Sequence, residues 1–200
     1  MAAEMRIIGI TGGMASGKST VAKLIARDRY PHLDADALVH HLMATDHATI
    51  RTIGQHFPEA LVGGMISRVA LAQAIARDGH HLKTLESILH PRVRAAEEAA
   101  IAEARAAGKR AVILDIPLLF ETGAEALCDV VVAASAPLET RKARAFARPA
   151  MTEEKWAGLI ARQLSDTERN ARADHVIDTG GSMEDTHNQV KALLSGWQLP

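Results

Sequence analysis

Between Gly9 and Thr20 the chain reads GITGGMASGKST, an isoleucine-rich run that ends in glycines and restarts with helix-compatible residues. Gly12-x-x-x-x-Gly17-Lys18-Ser19 has the complete Walker A spacing. Such a loop works in one setting. A β-strand delivers the chain to it and a helix leaves it, so that backbone N–H groups and the helix dipole converge on one anion. The spacing therefore predicts a strand at Arg6–Thr11, a helix from Lys18 to about Arg27, and an α/β architecture around them. Gly13, Met14, Ala15, Ser16, Gly17, Lys18, Ser19 and Thr20 are the expected ATP-binding set. Lys18 neutralises charge at the β- and γ-phosphates, and the Ser19 hydroxyl is the expected Mg²⁺ ligand. A plain glycine turn with a surface lysine is the alternative, and the flanking strand and helix argue against it.

Short β-rich runs alternate with helical stretches along the rest of the chain. Further strands are expected around His32–Asp34, Arg110–Asp115, Val130–Ala134 and His175–Ile177. Helices are expected at about Ala37–Met43, Val69–Arg77, Val93–Ala107 and Met183–Leu194. The alanine-rich RVRAAEEAAIAEARAA is a strong helix former, and Gly108 supplies its stop. This order predicts a mainly parallel sheet of about five strands sandwiched by helices. No repeat or long linker interrupts the 200 residues, so one compact unit spanning 1–200 is expected.

Composition removes several function classes. A net charge of −1 gives no polybasic surface, and aromatics are 3% of the chain, too few for base-stacking platforms. Nucleic acid is therefore not an expected partner. The lone cysteine, Cys128, excludes an intrachain disulfide and reads as a small packing residue beside DVVVAAS. No apolar run approaches the roughly 20 residues of a membrane span. The start MAAEMRIIGI carries Glu4 and runs straight into the loop, unlike a signal peptide, so a cytoplasmic protein is expected. The pairs His40–His41 and His80–His81 lack partners at zinc spacing and read as surface residues.

Three enzyme classes share this loop. Guanine-selective switches carry Asn-Lys-x-Asp, yet neither asparagine here, Asn170 or Asn188, precedes a lysine. Hydrolysing ATPases often end an apolar strand in Asp-Glu, whereas Asp115 is followed by Ile116. Transfer to another acceptor is the remaining reading, which makes a kinase. HLDADALVHHL offers Asp34 and Asp36 at the C-terminal end of a strand, the edge that faces the ligand crevice in parallel sheets. Asp36 reads either as the group that takes the acceptor's proton or as a plain helix cap. Arg141, Arg144 and Arg148 fall at i, i+3 and i+7, one helical stripe, with Arg162, Arg169 and Arg172 further on. The stripe suits a clamp over a triphosphate and equally a solvated helix face.

Taken in order, GITGGMASGKST, DAD at Asp34–Asp36, HP at His90–Pro91, IPLLFE at Ile116–Glu121 and ADHVID at Ala173–Asp178 resemble the dephospho-CoA kinase family over nearly the whole chain. That resemblance implies a P-loop nucleoside-triphosphate-hydrolase-like kinase fold with a helical substrate-binding insertion, roughly 60–100, and a helical lid, roughly 138–172. It implies ATP with Mg²⁺, and dephospho-CoA as acceptor at its ribose 3′-hydroxyl, in a monomer or small homo-oligomer. Asp36 matches the family's proposed base, Lys18 its phosphate-binding lysine, Arg144 a lid arginine, and Thr11 a position near the reacting groups. Arg68, His90 and Leu118 match its acceptor-binding part, although Leu118 and Leu119 read equally well as core leucines. The chain departs from the family's pattern at Ala15, where glycine is usual. It departs also at Arg29–His32 (RYPH), at Gly63–Gly64 in place of an Asp-Gly pair, and at Thr179 in place of asparagine.

Overall fold

Ile7, Ile8 and Ile10 are buried on both faces of a strand, β1 (Arg6–Gly12), which is what a central parallel strand demands of its sequence. A computed structural model describes residues 5–149 and 151–199. Residues 1–4, including the Glu4 on which the expectation for the N-terminus rests, lie outside it. The chain divides into two compact units: residues up to Asp34 together with those from Ile101 onward, and Ala35–Ala100.

The first unit holds a five-stranded, all-parallel sheet. Its strands are β1, β2 (His32–Asp34), β5 (Ala111–Asp115), β6 (Val130–Ser135) and β7 (His175–Asp178), in the order β2-β5-β1-β6-β7. Every residue of β5 is buried, and Ile10 of β1 pairs with its last residue, Asp115. β1 therefore runs two residues past the tip of β5 before the loop begins. Helix α1 (Lys18–Ala26) buries Val21, Ala22 and Ile25 against the sheet, where α9 (Met183–Gly196) adds Val190 and Leu194. Between β6 and β7 run three short helices: α6 (Leu138–Phe146), α7 (Glu153–Ile160) and α8 (Asp166–Arg172).

The second unit is helical. It contains α2 (Ala35–Thr45), α3 (His47–His56), the hairpin β3 (Leu61–Val62) with β4 (Met65–Ile66), α4 (Arg68–Arg77) and the first part of α5 (Gly79–Ala106). Ile53, Phe57, Leu71, Ile88 and Leu89 share its core. Both residues of the hairpin's turn, Gly63 and Gly64, have positive φ, 58° and 80°. A two-residue loop with φ positive at both positions is the one that Asp-Gly also serves, so the departure keeps the turn.

Three expectations need correction. Helix α2 starts at Ala35 rather than Ala37, so Asp36 lies within its first turn and is not its cap. Helix α5 does not begin at Val93. It runs through Pro91, because Leu85, Ile88 and Leu89 hold the preceding turns in the core while the Arg92 guanidinium donates to the Ile88 carbonyl at 2.6 Å. His81 is not a surface residue: its Nδ1 lies 2.7 Å from the Ala74 carbonyl and its ring meets Phe57 edge-on at 5.4 Å. His40, His41 and His80 are exposed, and the described residues contain no cluster of three metal-ligating side chains. Cys128 is half-buried and fills the space over Gly9, where a Cβ would overlap its sulfur.

Candidate active site

The loop leaves β1 at Gly12 and enters α1 through Gly17, held by one hydrogen bond of its own and two supports from outside. The Ser16 N–H donates to the Gly13 carbonyl at 3.0 Å and closes the loop on itself. The Thr179 hydroxyl lies 2.5 Å from the Ser16 carbonyl and 3.1 Å from that of Ser135, so this threonine ties the loop to the end of β6. The Met14 N–H donates to Gln163 Oε1 at 2.9 Å, just past α7. Ala15 stands in the left-handed region at φ 59°, and its buried side chain clusters with Ala145 of α6 and Trp156 of α7. The methyl that strains the loop is also the surface on which these helices pack.

Lys18 projects from the first turn of α1 to the tip of β5, where its ammonium pairs with Asp115 Oδ1. Asp115 Oδ2 lies 3.5 Å from His32 Nε2, an electrostatic contact too long for a good hydrogen bond. Burial works to raise the Asp115 carboxyl, but the facing His32 imidazole and the Lys18 ammonium outweigh it and hold the carboxyl below its ordinary range. Its Oδ2 has no hydrogen-bond partner among the described residues. A buried carboxylate oxygen and the exposed Ser19 hydroxyl are the hard oxygen donors that Mg²⁺ takes alongside phosphates and water, so the residues present fit that ion.

Thr11 is fully buried, and its hydroxyl donates to the Pro117 carbonyl at 3.3 Å. Leu118 is half-buried while Leu119 is core, so the two leucines separate into different environments. Glu121 Oε1 accepts the Leu164 N–H at 2.7 Å, tying that glutamate to the turn before α8. The arginine stripe also divides. Arg141 is buried, so the solvated-face reading fails for it, whereas Arg144 donates to the Thr179 carbonyl at 2.7 Å and Arg148 lies past the end of α6. Arg144 and Arg148 line a cavity of about 370 Å³ with Gly17, Thr20, Thr179 and Met183. It opens at the α1 end of the loop and has cationic, hydroxyl and apolar walls. In the second unit Asp36 is exposed in the first turn of α2, Arg68 is exposed at the start of α4, and His90 is exposed on α5.

Reading the sequence assigned no partner to Asp115 and did not single out Asp166, Gln163 or Glu121. A lone carboxylate closing an all-apolar strand is a visible signal for the first, because a fully buried charge requires a counter-ion. The others depend on how α6, α7 and α8 fold back, which no local pattern carries.

The family model for dephospho-CoA kinase matches residues 6–185, the loop, the Lys18–Asp115 pair and the arginine helices included. The chain belongs to the dephospho-CoA kinase family. Curated dephospho-CoA kinases resemble it along almost their entire length. That of Agrobacterium fabrum is 42% identical over 190 residues, covering 95% of this chain and 97% of its own. That of Gluconobacter oxydans is 45% identical over 196 residues, covering 95% and 96%. A crystal structure from Thermus thermophilus superposes with a TM-score of 0.81 at 37% identity, covering 96% of this chain and 98% of its own. The structure of a dephospho-CoA kinase from Campylobacter jejuni has the same fold, with a TM-score of 0.73 at 22% identity, covering 97% of this chain and 98% of its own. No helix among the described residues is long and apolar enough to cross a membrane.

Proposed function

We propose that this chain transfers the γ-phosphate of ATP to the ribose 3′-hydroxyl of dephospho-CoA, giving CoA and ADP, the last step of coenzyme A biosynthesis. The observation that carries the reading is the coincidence of the family match with a complete phosphate loop whose lysine meets a strand-end carboxylate.

In this reading Gly13 to Thr20 hold the triphosphate, with Lys18 leaving Asp115 to meet the β- and γ-phosphates. The cavity lined by Arg144 receives the base side of the nucleotide. When bound, Mg²⁺ held by Ser19 and facing Asp115 would neutralise phosphate charge and order the oxygens. Asp36 takes the proton of the 3′-hydroxyl as its oxygen bonds to the γ-phosphorus and the bond to the β-phosphate oxygen breaks. Arg144, held on the Thr179 carbonyl at the Gly17 end of the loop, faces the charge that builds on the β-phosphate as it leaves. The helical segment of about 60–100, with Arg68 and His90, serves the CoA moiety, Thr11 and Leu118 border the acceptor, and α6 to α8 act as a lid that excludes water. A cytoplasmic setting, as a monomer or small homo-oligomer, completes the proposal.

An acceptor panel tests it. Initial rates of ADP release from Mg-ATP are compared with dephospho-CoA, other nucleotides and small alcohols. Dephospho-CoA is expected to give the highest kcat/KM, and a preference for another alcohol overturns the substrate assignment.

A further inference from the structure

Arg141 and Arg144 leave α6 in different directions. Arg144 borders the cavity at the Gly17 end of the loop, whereas Arg141 is 3% exposed and reaches the opposite end. A Cβ built on Gly13 would overlap Arg141 Nη1 and crowd Arg169 Nη1, so two guanidinium groups lie against the bare backbone of one loop glycine. Both are buried, and both use one carboxylate. Arg141 Nη2 donates to Asp166 Oδ2 at 2.8 Å, and Arg169 Nη1 donates to Asp166 Oδ1 at 2.6 Å. Arg169 also donates through Nη2 to the Leu164 carbonyl at 2.6 Å. Arg141 Nε is buried and has no hydrogen-bond partner among the described residues.

The charge of this cluster does not close. Two cations share one anion in a place almost without water, and buried charge is tolerated only when it is paired. Asp166 is 37% exposed at its side chain, so the carboxylate is the solvent-facing member and the guanidinium groups are the loop-facing ones. What they lie against is Gly13, the second glycine of a loop with phosphate-binding spacing. With the base side of the nucleotide in the cavity at the Gly17–Thr20 end, as proposed above, Gly13 is left at the terminal-phosphate end.

We infer that Arg141 is a second phosphate-binding arginine, contacting the terminal end of a bound triphosphate from beside Gly13, while Arg169 and Asp166 position it. The inference rests on the reading of the loop as an ATP site. Arg141 is not interchangeable with lysine in that role, because its planar fork keeps one edge on Asp166 and offers the other to phosphate. The competing account is a strut that merely joins α6 to α8.

The test combines calorimetric binding of inorganic tripolyphosphate and of Mg-ATP with steady-state kinetics. Arg141→Gln is expected to raise the tripolyphosphate Kd and the ATP KM about tenfold or more, the worth of one charge-assisted hydrogen bond, while the KM for dephospho-CoA stays within about twofold. Arg141→Lys is expected to recover only part of that loss. Asp166→Asn removes the competing anion, and tripolyphosphate is expected to raise its Tm by more than it raises that of the wild type. A strut predicts lowered Tm in all three variants with tripolyphosphate Kd and ATP KM unchanged, and that result overturns the inference. Should Arg141→Gln not fold, an unchanged ATP KM in Arg141→Lys overturns it equally. A wild-type protein that binds tripolyphosphate but does not phosphorylate dephospho-CoA ends the acceptor assignment and leaves the inference on Arg141 standing. One that binds no tripolyphosphate ends this inference.

Discussion

The Lys18 ammonium is paired with the Asp115 carboxylate, whose side chain has no solvent exposure. The pair keeps two charges satisfied at the tip of β5 and sets the lysine where phosphate oxygens arrive. Lys18→Met leaves Asp115 buried with only His32 facing it, and breaking a buried pair in this way costs about 3–5 kcal/mol. Asp115→Asn is milder for folding, because Lys18 retains some exposure and reaches water. Urea unfolding is expected to rank Lys18→Met below Asp115→Asn, with turnover severely reduced in both. Equal stability of Lys18→Met and wild type contradicts the pairing. The Asp115 carboxyl is held below its ordinary value of 3.8, so its contribution is fully present above that value and is lost only as pH falls through the lowered one.

Ala15 gives the loop a strained residue with a purpose. An L-residue in the left-handed region costs about 1–2 kcal/mol, and burying its methyl returns about 0.8 kcal/mol. Ala15→Gly is therefore expected to leave Tm within a few degrees of wild type while weakening the contact with Ala145 and Trp156. Hydrogen exchange across α7 checks this. Faster exchange at Glu153–Ile160 with little change in Tm is the expected outcome, and unchanged exchange there contradicts a methyl-based dock.

Asp36 stands in the first turn of α2, where a carboxylate favours the helix dipole by about 0.3–1 kcal/mol. If that were its whole role, Asp36→Asn would lower stability slightly and leave kcat alone. As the base it is expected to lose about 10² in kcat, the common scale of general-base catalysis, with Mg-ATP binding unchanged. A kcat near wild type removes the assignment.

Glu97 is buried in α5, and its desolvation raises its carboxyl above the ordinary 4.5 despite Arg94 nearby. A carboxyl that is raised in the folded state holds its proton more tightly there than in the unfolded chain. Its effect therefore favours folding at low pH and is lost as pH rises from about 4.5 toward the raised value. Glu97→Gln is expected to raise Tm at neutral pH and to remove that slope. A lower Tm at neutral pH would show that the charge is instead satisfied.

Much of the sheet was legible because β1, β5 and β6 are mainly apolar, buried runs with little alternative. All five strands fall within about two residues of their expected ends. The helix α3 was not legible, since HATIRTIGQH buries only a thin face through Thr49, Ile50, Ile53 and Gly54. Pro91 hid the first half of α5, because local preference reads proline as a boundary while the packing of Leu85, Ile88 and Leu89 overrides it. At the site, the loop announced itself through spacing. Asp166 did not, being 25 residues from Arg141 and meaningful only once α6 and α8 fold together.

The product of the wild-type reaction tests the account most directly. Mg-ATP and dephospho-CoA are incubated with the protein, and the phosphorylated product is identified by mass and by phosphorus NMR of its ribose. One added phosphate on the 3′ oxygen, formed in step with ADP, is the result the account predicts. Phosphate at another position, or ADP released at the same rate without dephospho-CoA, would contradict it.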